Sequence, residues 1–338
     1  MNNDLRRKIL FSLLFALLVY MALALWSDWQ ALTTALIDFP WLWLPAVIGL
    51  TLVNYSGRLL KWHWYLRLLG IPINRYDSGR VFGVGMLMVM TPGKAGEFLK
   101  SYMVKNVTGT PMAITAPVVL AERMTDGAAM LLLASVGLFA FPDPKARWIA
   151  ALVFGNFLLT VIVIQIRPLA LRVLDIGKHL PVVRRFADHL YSFYESSYLI
   201  FRPRNLIISL LIGIISWVAE GVAYYVVLIG FGAEPSTRTL LIAIFIFCIS
   251  TVIGAVFATP GGLGGVEGSL IALSSNLLAL PTTTAVAAAL LVRFCTLWLG
   301  VSIGVASFAL WPSLLAGSER VHSSEANAEE ASLPLSAS

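Results

Sequence analysis

The sequence predicts an all-α polytopic membrane protein, with about six full spans and two re-entrant or broken-helix hairpins set in inverted repeats. Three observations carry this: apolar runs as long as a bilayer is thick, two Gly/Pro interruptions of matching sequence, and basic residues gathered into a few connections. Of the 338 residues 58% are hydrophobic and 12% charged, with a mean hydropathy of +0.83. A soluble chain carries about 25% charged residues and has no need of apolar runs about 20 residues long.

The spans follow in order at 9–26, 41–66, 113–141, 148–166, 206–231 and 283–310. The first is preceded by Arg6, Arg7 and Lys8 and followed by Trp26 and Trp29. It resembles a signal peptide but is read as an uncleaved span. The connection 27–40 holds Asp28 and Asp38 with no Lys or Arg, which places it outside. Arg67, Arg75 and Arg80 place the next connection inside. The longest connection, 167–204, is strongly basic and so cytoplasmic. Its Val183, Phe186, Leu190 and Tyr194 recur at helical spacing, as on an amphipathic helix lying on the membrane. The expected location is the cell inner membrane with both termini cytoplasmic, and the acidic, Ser/Ala-rich tail 312–338 reads as disordered.

Two regions fit the span rule poorly. Residues 81–104 break at Thr91-Pro-Gly-Lys-Ala-Gly-Glu97, and 240–280 break at Thr259-Pro-Gly-Gly-Leu-Gly-Gly-Val-Glu267. Parity between outside and inside loops makes the first start and finish in the cytoplasm and the second start and finish outside. The two interruptions match, and each glutamate is followed 26 positions later by an arginine, Arg123 or Arg293, in an apolar span. The halves, about 41–141 and 206–310, then form an inverted repeat within a membrane domain 1–311. Matching broken segments of this kind point to a transporter site near the midplane, because irregular backbone cannot face lipid and must be buried or line a cavity. Pro92, Gly93 and Gly96 in one break, and Pro260, Gly261, Gly262 and Gly264 in the other, stop a helix and turn the chain. The helix restarting near Phe98 would turn its free N–H groups toward an anion, helped by Lys94. Gly262 stands where Lys94 does, so the site would be asymmetric.

At these residues the chain resembles the transmembrane region of the lysylphosphatidylglycerol synthase (flippase-like) family. The likeness rests on Asn54-Tyr-Ser-Gly-Arg58 with Lys61-Trp62, TPGKAGEFLKSY, Glu122-Arg123-Met-Thr-Asp126, TPGGLGGVEGSLIAL and Arg293-Phe-Cys-Thr-Leu-Trp298. It implies a lipid-translocating or lipid-handling role. Lysyl transfer is not implied, because family synthases carry a separate aminoacyl-transferase domain and the segment after Trp311 is too short for one.

The charges inside spans are the candidate site: Arg58, Lys94, Glu97, Glu122, Arg123, Asp126, Glu220, Glu267 and Arg293. Such charges are costly in a bilayer unless paired or hydrated. They line a polar cavity for a lipid headgroup, or Arg123 pairs with Glu97 and Arg293 with Glu267 to pin the hairpins; the two readings are compatible. Arg58 and Lys61 fit the cytoplasmic end of their span, snorkelling to the interface. Glu220 is a cavity-lining, proton-coupling or arginine-paired carboxylate. Trp26, Trp29, Trp41, Trp43, Trp148 and Trp311 suit an interfacial belt. Cys248 and Cys295 lie in apolar segments, and the scattered histidines have no metal-ligand spacing, so no metal or cofactor is expected.

The leading expectation is a transporter or flippase for an anionic lipid, a phospholipid or polyprenyl phosphate, rather than an enzyme. Without a Walker A pattern, energy would come from an ion gradient, a partner, or nothing. Alternatives are an accessory subunit presenting lipid to a partner enzyme, and a lipid-modifying enzyme using Glu122 with Asp126. Nucleic acid is not an expected partner.

Overall fold

The computed structural model describes residues 29–91, 96–137 and 181–315, with side chains from 190 onward in the last segment, plus single positions at 21 and between 148 and 166. The expected spans 9–26 and 148–166, the basic stretch 167–180, the residues Pro92, Gly93 and Lys94, and the tail lie outside the described residues or nearly so.

Every described element is helical. The chain runs α1 (Trp29–Asp38), α2 (Leu44–Leu68), α3 (Arg75–Leu87), α4 (Leu99–Thr108), α5 (Met112–Gly137) and α6 (Pro181–Ile200). It continues through α7 (Pro203–Gly230), α8 (Thr237–Val256), α9 (Gly265–Leu278), α10 (Thr282–Arg293) and α11 (Leu299–Leu310). Short 3₁₀ turns Met88–Met90 and Pro260–Gly262 fall at the two breaks, and a π turn, Phe294–Trp298, joins α10 to α11. By length and composition α7, α8 and Thr282–Leu310 can each cross a membrane, as can α1 with Trp41–Leu68 if that pair, bent by 64°, is one span. Helix α5, 26 residues long, is set apart by its three internal charges, Glu122, Arg123 and Asp126.

The connection expected over 27–40 contains α1. Its Leu32, Ala35 and Leu36 lie at helical spacing and pack into the core, and the helix docks on α10. Helix α6 lies where the amphipathic connection was expected, and it packs on α5, burying Ser196, Ser197 and Ile200 at its end. The two breaks differ in their first arms. Helix α3 has 13 residues, about 20 Å of rise, whereas α8 has 20, about 30 Å, enough to span alone.

Helix starts and stops follow local chemistry. Asn74 caps α3 by accepting from the Asp77 N–H at 2.7 Å, and Ser236 caps α8 by accepting from Thr239 at 3.1 Å. Across the first break Thr91 Oγ1 accepts from Gly96 N–H at 2.8 Å, and across the second Thr259 Oγ1 donates to the Leu263 carbonyl at 2.8 Å. The second break needs glycine, since Gly261, Gly262 and Gly264 have φ of 61°, 71° and 83°.

Packing comes in matched contacts. Helices α2 and α7 lie along one another; α3 packs on α11, α5 on α8, and the two 3₁₀ breaks touch. One apolar cluster joins α1, α5 and α7–α10, a second joins α2–α5 with α11, and Leu87, Met90, Leu263, Leu297 and Val301 make a third where the breaks meet. Small residues allow these approaches, as expected where lipid-like surfaces must interlock. A Cβ on Gly304 would stand 2.4 Å from the Leu87 nitrogen, and one on Gly137 would stand 2.9 Å from the Leu241 carbonyl oxygen.

Backbone cannot yield as a side-chain tip can. Gly304→Val should therefore separate α11 from α3 and lower the thermal midpoint of detergent-purified protein, at a cost of about 1–3 kcal/mol. Gly49→Ala, which meets nothing within 4 Å, should leave the midpoint unchanged or raised.

Candidate functional site

Charged side chains buried among helices need partners, and the structure supplies them across large sequence separations. Glu97 sits at 2% exposure in the turn 96–98 that opens α4, and Arg123 Nε on α5 lies 3.0 Å from its Oε2. In the other half Arg293 Nε on α10 donates to Glu267 Oε1 at 2.6 Å, and Arg293 Nη2 donates to the Gly261 carbonyl at 2.6 Å. Both glutamate–arginine pairs anticipated from the 26-residue spacing are thus formed.

Two lysines complete the network. Lys61 on α2 is wholly buried; its ammonium binds Asp126 Oδ1 and reaches Thr125 Oγ1 at 3.3 Å. This corrects the expectation that Lys61 snorkels to the interface. The acceptors on α5 lie inside the bundle, and the lysine turns inward to meet them. Arg58 turns inward as well, its Nε 3.9 Å from Asp126 Oδ2. Lys100 on α4 binds Glu122 Oε2 at 2.5 Å, with its ammonium 4.4 Å from the centroid of the Trp62 ring. Glu122 and Asp126 share a face of α5 one turn apart, yet each is neutralised by a different lysine.

The anion site expected near Phe98 has no counterpart in the second half, in keeping with the asymmetry of the two breaks. There Glu267 Oε2 accepts from the Gly264 N–H at 2.8 Å, so the carboxylate fills the helix end itself. In the first half α4 begins at Leu99, next to Glu97, and Lys94 lies outside the described residues.

Part of this network borders a cavity of about 100 Å³ between the two breaks. Of the described residues, Arg58, Lys100, Arg123 and Arg293 line it with positive charge and Glu97 and Glu220 with negative. Gly261 and Gly262 contribute backbone to its wall; Pro260 and Gly264 stand beside it in the same break. On its far side Tyr55 OH donates to the Thr296 carbonyl in the π turn, where the helical bonding pattern is interrupted. A cleft of about 410 Å³ lies between α5 and α8; it shares Glu97, Arg123 and Trp217 with the cavity wall and is otherwise walled mainly by apolar residues such as Leu120, Met130 and Val256. Phe98 and Val256 are exposed at this cleft. Among the described residues no group of His, Cys, Asp and Glu has the geometry of a metal site.

Sequence reasoning named nine charges: Arg58, Glu97, Arg123, Glu220 and Arg293 line the cavity, Asp126 lines the neighbouring cleft, Glu122 and Glu267 line neither, and Lys94 lies outside the described residues. It missed Lys100 and Trp217 as lining groups and Lys61 as a partner. Lys61 and Lys100 carried a weak signal, each being a lysine in an otherwise apolar or hairpin-flanking stretch that already contained the family-like residues.

An all-helical bundle holding paired charges beside a chamber that adjoins an apolar cleft defines a polytopic membrane protein with an internal polar site. The family model for the lysylphosphatidylglycerol synthase TM region matches residues 9–304, and the chain belongs to that family. Two proteins of Methanothermobacter thermautotrophicus, each called UPF0104 membrane protein, are similar to it. One is 25% identical over 278 residues, covering 75% of this chain and 81% of its own length. The other is 26% identical over 331 residues, covering 89% and 92% respectively.

Removing one partner of a buried pair strands the other, at about 3–5 kcal/mol. Arg293→Met should therefore lower the thermal midpoint sharply. Adding Glu267→Gln should restore much of the loss, because a glutamine still accepts from Gly264 N–H and carries no charge. Thermal denaturation of the purified single and double variants checks this ordering.

Proposed function

We propose that the protein moves lipids across the membrane as a flippase-like transporter. The headgroup of an anionic lipid, a phospholipid or polyprenyl phosphate, occupies the chamber while its acyl chains stay in the cleft and the bilayer. The observation that carries this reading is the adjacency of the two spaces. A small chamber lined by more cationic than acidic groups shares the wall of Glu97, Arg123 and Trp217 with a larger apolar cleft, which matches the division of a lipid into charged head and hydrocarbon tail. Membership of the synthase transmembrane-region family supports it.

A transporter is favoured over an enzyme because the one tempting acid–base pair, Glu122 with Asp126, is engaged by Lys100 and Lys61. In this reading the halves 41–141 and 206–310 are inverted repeats, and the matched packing of α3 on α11 and α5 on α8 is what such a relation would produce. Rocking of one half against the other would expose the chamber to each leaflet in turn. The membrane is the cell inner membrane, with both termini in the cytoplasm.

Purified protein in proteoliposomes, with fluorescent-headgroup lipids and an impermeant quencher, should move anionic lipids faster than protein-free vesicles. Arg123→Ala should abolish the movement while the protein remains folded. Folded wild-type protein that moves no lipid of the panel would overturn the transporter reading in favour of an accessory subunit that presents lipid to a partner enzyme. Orientation has its own test. Glu234, exposed between α7 and α8, should be labelled as cysteine by impermeant maleimide on intact cells, against the buried background of Cys248 and Cys295. Labelling only after permeabilisation would reverse the assigned sidedness.

A further inference from the structure

The two glutamate–arginine pairs share one spacing but differ in bonding. Arg293 uses two nitrogens, Nε on Glu267 and Nη2 on the Gly261 carbonyl, each at 2.6 Å. Glu267 spends its other oxygen on Gly264 N–H. Helix α10, the break and the start of α9 are therefore tied at three points, with the arginine side chain 9% exposed and the glutamate fully buried.

The first pair is held otherwise. Arg123 Nε stands 3.0 Å from Glu97 Oε2 but outside hydrogen-bond geometry, and its Nη2 stands 3.9 Å from Asp126 Oδ2. Its side chain is 26% exposed and borders both the chamber and the cleft. Arg58 Nε approaches the same Asp126 oxygen at 3.9 Å. Among the described residues, Arg58 Nε and Arg123 Nε and Nη2 are buried donors with no hydrogen-bond acceptor, and Trp217 Nε1 beside them is another. Native proteins rarely leave such donors unmet, and guanidinium groups bind oxyanions well.

We propose that the first pair is a latch which an oxyanion headgroup opens, while the second is a permanent pin. This rests on the lipid-headgroup reading above. An oxyanion between Arg58 and Arg123 gives these guanidiniums the acceptors they lack. It also draws Arg123 away from Glu97 and faces that carboxylate with a like charge. The turn 96–98 then moves away from α5, and α4 pivots about the Lys100–Glu122 pair that still ties it there. Arg293 offers no such opening, because its bonds to Glu267 and Gly261 are already made. The substrate headgroup thus releases one hairpin selectively.

Spin labels at Leu211→Cys on α7 and at Lys105→Cys on α4 report the first hairpin; labels at Leu211→Cys and Asn276→Cys on α9 report the second. All three positions are exposed and none lines the chamber or cleft. Short-chain phosphatidylglycerol should add a new distance population to the 105–211 pair and leave the 211–276 pair unchanged. Dodecyl maltoside, a neutral amphiphile, should shift neither. The same shift with inorganic phosphate alone would assign the opening to the free anion and not to a lipid. Glu97→Gln should show the new population without ligand, and Arg58→Gln should lose the response. Movement of both pairs, or of 211–276 alone, overturns the latch. No movement while short-chain phosphatidylglycerol still raises the thermal midpoint overturns the latch and leaves the lipid reading standing. Neither movement nor stabilisation overturns both.

Discussion

The cost of holding charge in an apolar bundle governs this structure. A carboxylate or ammonium deprived of water must find a counter-ion and hydrogen bonds, or it destabilises the fold. Here Glu97, Glu122, Asp126 and Glu267 each meet a cation brought from another helix or hairpin, so the charges dictate how the helices assemble. Lys61 draws α2 to α5, Lys100 draws α4 to α5, and Arg293 draws α10 to the second break. The breaks depend on this in turn. In the second break Arg293 binds the Gly261 carbonyl, and Leu263 clusters with Leu87, Met90 and Leu297, which keeps that irregular backbone away from hydrocarbon.

Much of this could be read from the sequence, and what could be read was periodic or repeated. Apolar run length located α7 and the helix pair ending at Leu310 to within a few residues. The repeated Thr-Pro-Gly and the equal glutamate-to-arginine spacing foretold both ion pairs, because two residues at a fixed interval in two places leave a trace that one contact does not. Lys61 with Asp126 left no such trace. They are 65 positions apart, and only the packing of α2 against α5 shows that the lysine points inward. Position within an apolar run was a poor guide, since Lys61 near the end of its run looked free to reach the interface. The helix α1 was hidden by two aspartates in a short stretch, whose apolar stripe signified only once α10 was there to cover it.

Equivalent sequence did not produce equivalent chemistry. The two breaks share a motif, but one has three glycines in the left-handed region and a glutamate that caps its own helix. In the other, the glutamate is bound side-on to an arginine that also faces open space. The first arms differ too, one long enough to cross a bilayer and one not. A chain with two similar halves therefore need not use them alike, and the chamber wall is accordingly richer in charge from the first half.

The π turn after Arg293 has a consequence for how one helix serves two neighbours. A π turn takes one residue more than an α turn, so everything beyond it is rotated by about 100° relative to an uninterrupted helix. Before the turn Arg293 points to the break, and after it Gly300 and Gly304 meet α2 and α3, with Tyr55 OH donating to the Thr296 carbonyl inside the turn. The turn acts as a phase shift written into a single continuous rod. It lets the polar and the small-residue stripes be aimed independently, without a loop whose backbone the membrane would have to accommodate.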